Sequence, residues 1–348
     1  MQQESNTKMF TAEHIRLFVK WLKFLVFQEE SFSTDLRKVC REDNLMKFGM
    51  PYKGSKNSIA QHIIDVMPPA DHFYDLFGGG GAVSHCAALS GKFKHVHYNE
   101  FNPVVCEGFM KAVKGMYKTE DRWISREDFM NLKGSDPYVA ICFSFGNDLK
   151  TYAYGRDIEE YKKGFHYFLF FNDRTILEKF VDLKGFEFRK SEMSEKYNEL
   201  KNFLKTTDFK NKCILELGER LFRLQNFEGL QGIEHLSCLQ SFERLERLER
   251  LEYSCLSYEK VPIEKDSVIY CDPPYSGTNK YTVEFDHEKF YAWARLQKNI
   301  YVSEYNMPDY FHEVGFVTKR SLMDAAGKAG TKKEKLFTNR HEEEFILC

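Results

Sequence analysis

An apolar segment that ends in an acid, two prolines and an aromatic ring constrains this chain more than any other feature. Residues 268–275 read Val-Ile-Tyr-Cys-Asp-Pro-Pro-Tyr. Such a short apolar run is typical of a strand buried in a parallel sheet, and Pro-Pro cannot continue it because proline has no backbone N–H. The strand is therefore predicted to end at Asp272, at the carboxyl edge where open α/β sheets bind ligands. The rigid turn would hold a carboxylate, a carbonyl and a ring face together, which suits a planar base with an amino group. A plain Pro-Pro turn is the structural alternative.

A glycine-rich loop between a predicted strand and a predicted helix is the second strong pattern. The strand from His72 runs through Asp75 and Phe77 into four glycines, 78–81, and a helix is predicted from there to about residue 89. Glycine lets a ligand approach the backbone closely. The next predicted strand, 95–100, ends in Glu100 about 20 residues on, a spacing that suits an acid binding ribose hydroxyls. We expect an adenosine-containing cofactor here rather than an ordinary βαβ turn.

A Gly-Ser-Lys turn at 54–56 precedes a predicted helix at 59–66. Free N–H groups at a helix start, with a nearby cation, suit an anion. A capped surface helix is an equally good interpretation. The Walker phosphate loop is excluded, because no GxxxxGK[ST] pattern occurs in the chain.

Composition limits the class of protein and its partners. The chain has 348 residues, 43% of them hydrophobic and 29% charged, as in ordinary soluble globular proteins. Its net charge of −2 means that a nucleic acid would have to be held by a local patch. The nine cysteines show no CxxC pair and no zinc-type spacing with histidine, so we expect no metal and reduced thiols in a cytoplasm. Basic residues interrupt the apolar stretch at 10–27, so we expect no membrane span.

The remaining segments are predicted from periodicity and residue type. Residues 1–48 are expected to form a helical extension, and 138–145 a buried strand. The region from 146 to about 212 is rich in basic and aromatic residues, which suits phosphates and stacked bases, although an ordinary amphipathic subdomain explains it too. The three Glu-Arg-Leu repeats within 241–252 favour a solvated spacer helix. We expect a loop at 277–285, a helix at 290–296, strands at 299–304 and 314–319, and a C-terminal hairpin of 335–338 with 343–347.

Taken together, these motifs resemble those of the Dam-type DNA adenine N6-methyltransferases over roughly residues 50–348. The residues 272–275 resemble the family's catalytic Asp-Pro-Pro-Tyr motif. Asp75 with Phe77-x-Gly79-x-Gly81 resembles its cofactor motif, and Glu100-x-Asn102 its ribose-binding acid. The segment 52–56 resembles its Trp-x-Gly-Gly-Lys motif, with Tyr and Ser in place of Trp and the second Gly. Ser257-Tyr258 stands where the family usually has an Asp and an aromatic residue that hold the cofactor's adenine, and Ser bonds an amino group more weakly.

The resemblance implies a Rossmann-like α/β fold and four regions. The mostly parallel sheet would be flanked by helices and carry a C-terminal antiparallel hairpin, with a smaller target-recognition subdomain inserted. The implied regions are the extension 1–48, a cofactor-binding half at 49–145, a DNA-recognition region at 146–250 and a catalytic half at 251–348. The implied location is cytoplasmic, in a bacterium or in the host of a phage, and the oligomeric state stays open.

The resemblance also implies the reaction, the cofactor and the residues. S-adenosylmethionine would methylate N6 of an adenine flipped out of double-stranded DNA. The implied catalytic residues are Asp272, Pro273 and Tyr275. The implied cofactor-binding residues are Tyr52, Gly54, Lys56, Asp75, Phe77, Gly79, Gly81, Glu100, Ser257, Tyr258 and Asp272. The alternatives are another planar amine (cytosine N4 or a glutamine amide), a DNA-binding protein with weak or no catalysis, and a different nucleotide-binding α/β enzyme.

Overall fold

A seven-stranded sheet organises the part of the chain that the computed structural model describes, which is residues 47–204, 234–246, 248, 251–275, 285–321 and 330–339. Its strands are β1 (Ala70–Asp75), β2 (Phe93–Asn99), β3 (Leu251–Ser254), β4 (Val268–Cys271), β5 (Ile300–Glu304), β6 (His312–Ser321) and β7 (Gly330–Thr338). Their spatial order is β3-β2-β1-β4-β5-β7-β6. The strands β3, β2, β1, β4 and β5 run parallel, whereas β7 is antiparallel to both of its neighbours. The α/β fold with a mostly parallel sheet and a C-terminal antiparallel hairpin is therefore confirmed.

Helices cover both faces of this sheet. They are α1 (Ala60–Val66), α2 (Ala82–Ser90), α3 (Pro103–Val113), α4 (Arg126–Leu132), α5 (Pro137–Cys142), α6 (Glu159–Phe171), α7 (Met193–Leu204), α8 (Glu234–Leu245) and α9 (His287–Arg295). Phe73 and Tyr270 pack with α1 and α2 on one face, and Tyr74 and Ile269 pack with Phe290 of α9 on the other. A strand buried on both faces reads as a continuous apolar run, which explains why residues 268–271 look as they do.

The strand predicted at 138–145 is wrong. Residues 137–142 form the helix α5, and Asp136 caps its start by accepting from the N–H groups of Tyr138 at 3.0 Å and Val139 at 3.4 Å. Pro137 takes the first helical position, where a missing N–H costs nothing. An apolar run alone does not distinguish a buried helix from a buried strand, and the Asp-Pro start was the signal for a helix.

The C-terminal hairpin has a different partner from the one predicted. Residues 335–338 pair with β5 on one side and, on the other, with β6, which contains the strand predicted at 314–319. Residues 343–347 lie outside the described part of the chain, as do the predicted extension up to residue 46 and the predicted loop at 277–285 except for Phe285. Placing β7 between β5 and β6 brings it beside the carboxyl end of β5.

The Glu-Arg-Leu repeats do not form a solvated spacer helix in the described residues. The helix α8 ends at Leu245, and β3 begins at Leu251. Phe242, Leu245 and Leu248 are buried in the core with α3 and α5. The leucines at every third position therefore serve packing at the end of a helix and beyond it.

Candidate active site

Three acids lie near one another at the carboxyl edge of the parallel strands. Asp75 ends β1, Glu100 follows β2 and Asp272 follows β4, and β1 is the neighbour of both other strands. Asp272 and Glu100 both contribute to raising the pKa of Asp75 through their charge. Parallel pairing thus brings together the acids of the two strongest sequence motifs.

The glycine loop after β1 is shaped for close backbone contacts. Gly79 and Gly81 have φ angles of +49° and +71°, which side-chain-bearing residues rarely adopt. A Cβ on Gly81 would lie 2.1 Å from the Phe109 ring, and one on Gly79 would lie 3.0 Å from the Tyr52 ring. Tyr98 donates its hydroxyl to the Gly79 carbonyl at 2.8 Å. The glycines are therefore required by both conformation and space.

Glu100 ties the glycine loop to the start of α3. Its Oε2 accepts from the Gly79 N–H at 2.8 Å, and its Oε1 accepts from the Asn102 N–H at 2.8 Å. Burial raises the pKa of Glu100, although these two donors oppose the change. Each carboxylate oxygen has a second lone-pair site, so Glu100 can still accept bonds from a ligand.

Asp75 is buried and only half satisfied. Its Oδ2 accepts from the Ser84 hydroxyl at 2.7 Å, while its Oδ1 has no hydrogen-bond partner among the described residues. Burial raises the pKa of Asp75 from 3.8 to about 7. An unpaired buried acceptor is costly, so Oδ1 is a position where a ligand donor would be favoured.

Lys56 contacts the Asp-Pro-Pro-Tyr segment directly. Its ammonium forms an ion pair with Asp272 Oδ2 and a second one with Glu334 Oε1 at 3.0 Å. The Lys56 and Glu334 side chains are 7% and 8% exposed. Burial lowers the pKa of Lys56, but the two carboxylates outweigh it, and the net change is upward. The anion predicted to bind at the Gly-Ser-Lys turn is thus replaced by two carboxylates of the chain itself. The Lys56 ammonium also contacts the Gly54 carbonyl, at 3.5 Å.

The proline turn is held by contacts on either side. His287 donates from Nε2 to the Pro274 carbonyl at 2.8 Å, since a carbonyl oxygen only accepts. Tyr275 donates its hydroxyl to Glu334 Oε1 at 2.5 Å and packs edge-on against Tyr305. Pro273 itself is buried, and no hydrogen bond to its carbonyl occurs within the described residues.

Phe77 and Tyr258 form an aromatic contact near the same edge. Their rings stack with centroids 5.4 Å apart, and Phe285 and Phe290 surround them. Ser257 immediately precedes Tyr258, and its hydroxyl makes no hydrogen bond within the described part of the chain. The two segments predicted to bind the cofactor, around Phe77 and Tyr258, therefore meet in space, although about half of the chain separates them.

Three residues with structural roles at the site were missed from the sequence: Asn99, His287 and Glu334. Asn99 donates to the carbonyls of Leu76 and Leu256, each at 3.0 Å, and so ties together the segments after β1, β2 and β3. Its position directly before Glu100, at the end of an apolar strand, was a usable signal. His287 and Glu334 lie in ordinary-looking charged segments and gave none.

The basic and aromatic region is partly core. Tyr152, Tyr154 and Lys162 are buried, whereas Arg156 and Lys190 are exposed. The buried rings pack with α4, α5 and α8. Only part of the predicted base-stacking and phosphate-binding set is thus available on the surface.

Neither a membrane-spanning helix nor a metal-binding group occurs among the described residues. No helix there has the length and the apolar character needed to cross a membrane. No group of three or more His, Cys, Asp or Glu side chains there could hold a metal ion.

Comparison with known families gives one match. The model of the D12 class N6 adenine-specific DNA methyltransferase family matches residues 52–301. This range is more than half of the chain and includes all the motifs described above. Glu334, which belongs to none of these motifs, lies outside it. No curated protein matches the chain.

Proposed function

The chain belongs to the D12 class of N6 adenine-specific DNA methyltransferases, and on this premise we propose a specific substrate state and cofactor. The enzyme would use S-adenosylmethionine to methylate N6 of an adenine that it flips out of double-stranded DNA at a defined sequence. The observation that carries the proposal is the Asp-Pro-Pro-Tyr turn at the carboxyl end of β4, beside the glycine loop and Asp75.

The residues after β1 and β2 fit this cofactor chemically. Asp75 Oδ1 is a buried acceptor without a described partner, which suits a cationic amino group. Glu100 has lone pairs left for ribose hydroxyls. Phe77 and Tyr258 supply rings for an adenine, and the Ser257 hydroxyl can bond its amino group. Tyr52, Gly79 and Gly81 bring the backbone and one further ring close to the same place.

Asp272 and Pro273 would activate the target amine by orienting it. The exocyclic nitrogen of adenine is a poor nucleophile, because its lone pair is delocalised into the ring. If the Asp272 carboxylate and the Pro273 carbonyl accept hydrogen bonds from its two N–H groups, the nitrogen becomes more pyramidal. Its lone pair then points at the methyl group of the cofactor. This is positioning plus electrostatic preorganisation. The His287 bond to Pro274 helps to fix the turn that presents both acceptors.

Tyr275 would hold the flipped base. An adenine must leave the duplex to reach a pocket at the sheet edge, and stacking on an aromatic ring is worth roughly 1–3 kcal/mol per base. The Tyr275 ring is fixed by its bond to Glu334 and its contact with Tyr305. A fixed ring loses little conformational freedom when the base arrives.

The bonds that form and break in the proposed reaction follow from the chemistry of the cofactor. S-adenosylmethionine supplies a methyl group on a sulfonium, so an N–C bond forms while the S–C bond breaks and its electron pair stays on sulfur. The methylated nitrogen then loses one proton, which Asp272 accepts and releases to solvent. No covalent bond to the protein is required.

We assign recognition of the DNA sequence to the region 146–250. Its exposed basic residues, among them Arg156, Arg189 and Lys190, suit phosphate contacts, which position a protein on DNA. With a net charge of −2, binding by such a patch is favoured over binding by the field of the whole molecule.

The test is methylation of unmethylated DNA by the full-length protein with methyl-labelled S-adenosylmethionine, read by nucleoside mass spectrometry. We expect labelled N6-methyladenine, and its loss by at least about a hundredfold in Asp272→Ala, with DNA binding largely kept. Asp71→Ala is the matched control, because Asp71 is exposed and ion-paired to Lys94 at the opposite end of β1. Labelled N4-methylcytosine, or normal turnover in Asp272→Ala, would contradict the proposal.

A further inference from the structure

Glu334 belongs to no sequence motif, yet its carboxylate lies within a buried charged cluster with Lys56 and Asp272. Glu334 is on β7, and its Oε1 accepts from both the Lys56 ammonium at 3.0 Å and the Tyr275 hydroxyl at 2.5 Å. The Lys56 ammonium also pairs with Asp272 and lies 5.0 Å from the centre of the Tyr275 ring. A residue of the C-terminal hairpin thus contacts two residues around the proposed amine acceptor.

Lys56 presents an electrostatic problem for the proposed reaction. Positive charge moves from the sulfonium to the adenine nitrogen during methyl transfer, so a negative charge beside that nitrogen favours the transition state. Asp272 is the proposed source of this negative charge. A lysine paired with Asp272 cancels that charge. At the low exposure of the pair, 7% and 18% for the two side chains, solvent screens this cancellation only weakly.

Glu334 removes this problem by giving the cluster an excess of negative charge. Of the three charged groups described in the cluster, Asp272 and Lys56 sum to zero, and Glu334 adds a second negative charge. Tyr275 does not change this sum, because burial and the charges of Asp272 and Glu334 raise the pKa of Tyr275 and keep its hydroxyl protonated. The same hydroxyl donates to Glu334 and fixes the orientation of the carboxylate.

We propose that Glu334 is a positioning residue for methyl transfer, which shares the Lys56 ammonium with Asp272 and so leaves negative charge on the Asp272 carboxylate towards the target amine. This inference rests on the proposed function. It explains why a hairpin outside the family match carries a buried acid against the catalytic turn. It also gives Tyr275 a second task besides stacking, since its hydroxyl holds the acid in place.

The first test is Glu334→Gln. The amide oxygen of Gln can still accept from Lys56 and Tyr275, so the shape and the hydrogen bonds are kept while the charge is lost. We expect kcat to fall on the order of tenfold to a hundredfold, with the KM for DNA and the Kd for S-adenosylmethionine within about threefold of wild type. Glu334→Asp, which keeps the charge, is expected to regain part of the lost kcat.

The matched control is Glu313→Gln. Glu313 lies on the same hairpin, in β6, and forms an ion pair with Lys335 at 2.9 Å. Its kcat is expected to stay within about twofold of wild type. An equal loss of kcat in both variants would mean that Glu334 supports only the hairpin, which would overturn the proposal.

The second test asks whether Glu334 acts through Lys56. Glu334→Gln is made both in wild type and in Lys56→Met, which itself changes the site, and kcat is compared in a double-mutant cycle. We expect the cost of Glu334→Gln to shrink below about threefold when Lys56 is absent, because there is then no ammonium charge for Glu334 to share with Asp272. An undiminished cost in Lys56→Met would overturn the proposal.

A readout without catalysis separates this inference from the proposed function. The same four proteins are unfolded in urea, and a coupling between Lys56 and Glu334 is expected in the free energy of unfolding. Coupling in stability with no change of kcat in Glu334→Gln would overturn the proposal, since the pair would then be purely structural. A wild-type protein without N6-methyladenine product would instead refute the proposed function, whatever the stability cycle shows.

Discussion

Acids that look equivalent in the sequence have different environments at the ends of neighbouring strands. Asp75 has one bonded and one unpartnered oxygen. Glu100 accepts two backbone N–H groups, and Asp272 faces an ammonium. These surroundings suit a ligand acceptor, a loop anchor that can bind hydroxyls, and a charged acceptor for an amine, respectively.

Asp75→Asn is predicted to change how stability depends on pH. Because burial raises the pKa of Asp75 from 3.8 to about 7, ionising it disfavours the folded state. In the wild type, the contribution of Asp75 to the free energy of unfolding is fully present below pH 3.8, and it is lost as the pH rises through about 7. Asn carries no charge at any of these pH values. The free energy of unfolding of Asp75→Asn, minus that of the wild type, should therefore increase by roughly 2–3 kcal/mol between pH 5 and pH 8.

Urea unfolding at pH 5, 6, 7 and 8 measures this difference. The control is Asp71→Asn, at the exposed start of β1, where a bond from Lys94 lowers the pKa of the carboxyl. Asp71 is therefore already ionised across the whole range. A difference between Asp75→Asn and wild type that is constant with pH would contradict the buried, protonatable state of Asp75.

At the scale of elements, a buried polar chain joins α6, α8 and two loops. His166 Nε2 bonds to the Asp121 carbonyl at 2.8 Å, so it must donate. Neutral His166 then accepts at Nδ1 from His235 Nε2 at 2.9 Å, and His235 Nδ1 accepts from the Tyr154 hydroxyl at 2.9 Å. Burial lowers the pKa of His166 to about 4 and holds the pKa of His235 well below its usual value, which keeps both rings neutral.

His166→Phe is predicted to destabilise the protein by roughly 2–5 kcal/mol, because the Asp121 carbonyl and His235 Nε2 both lose their partner in a buried place. The double variant with His235→Phe should cost less than the sum of the two single variants, since the shared bond is lost only once.

Urea unfolding near pH 7.5 gives these free energies. His62→Phe, at an exposed position of α1, serves as the matched control and should stay within about 0.5 kcal/mol of wild type. Additive costs for His166 and His235 would show that the two rings are not coupled.

At the scale of the molecule, the sheet joins distant parts of the chain into one site. Lys56 and Asp272 are 216 positions apart, and Tyr275 and Glu334 are 59 apart. Residues from Phe48 onward form one compact unit. A ligand at the carboxyl edge therefore contacts segments from both ends of this unit and should stabilise it as a whole.

If S-adenosylmethionine is the cofactor, as proposed, a concentration of about a hundred times its Kd is predicted to stabilise the folded protein by roughly 2.7 kcal/mol, because a ligand that binds only the folded state shifts the unfolding equilibrium. A rise in Tm, followed by differential scanning fluorimetry, measures the effect. Asp272→Ala should keep most of the rise, since Asp272 is proposed to act on the target amine and it forms an ion pair with Lys56 in the structure.

Glu100→Ala should lose most of the rise, because it removes the proposed ribose acceptor and the bond that anchors Gly79. The Tm of Glu100→Ala without cofactor provides the reference for its own rise. An unchanged rise in Glu100→Ala would contradict the assignment of this acid to the cofactor.

The sequence by itself determined the features that depend on neighbouring residues. Pro273 and Pro274 end a buried strand because they lack N–H groups, and the glycines after β1 take conformations that other residues avoid. The class of fold and the family follow from these local patterns and from their order. Local chemistry also explains the failure at 138–145, where the Asp136-Pro137 helix start outweighed an apolar run that suits either structure.

Only the tertiary structure decided which side chains meet at the site. Glu334 stands in the run Lys-Lys-Glu-Lys at 332–335, which is typical of a solvated face. It is buried against Lys56 and Tyr275 because β7 lies beside β5, and this register follows from burial of the whole sheet. Contacts of that kind depend on how complete faces pack, so no stretch of neighbouring residues encodes them.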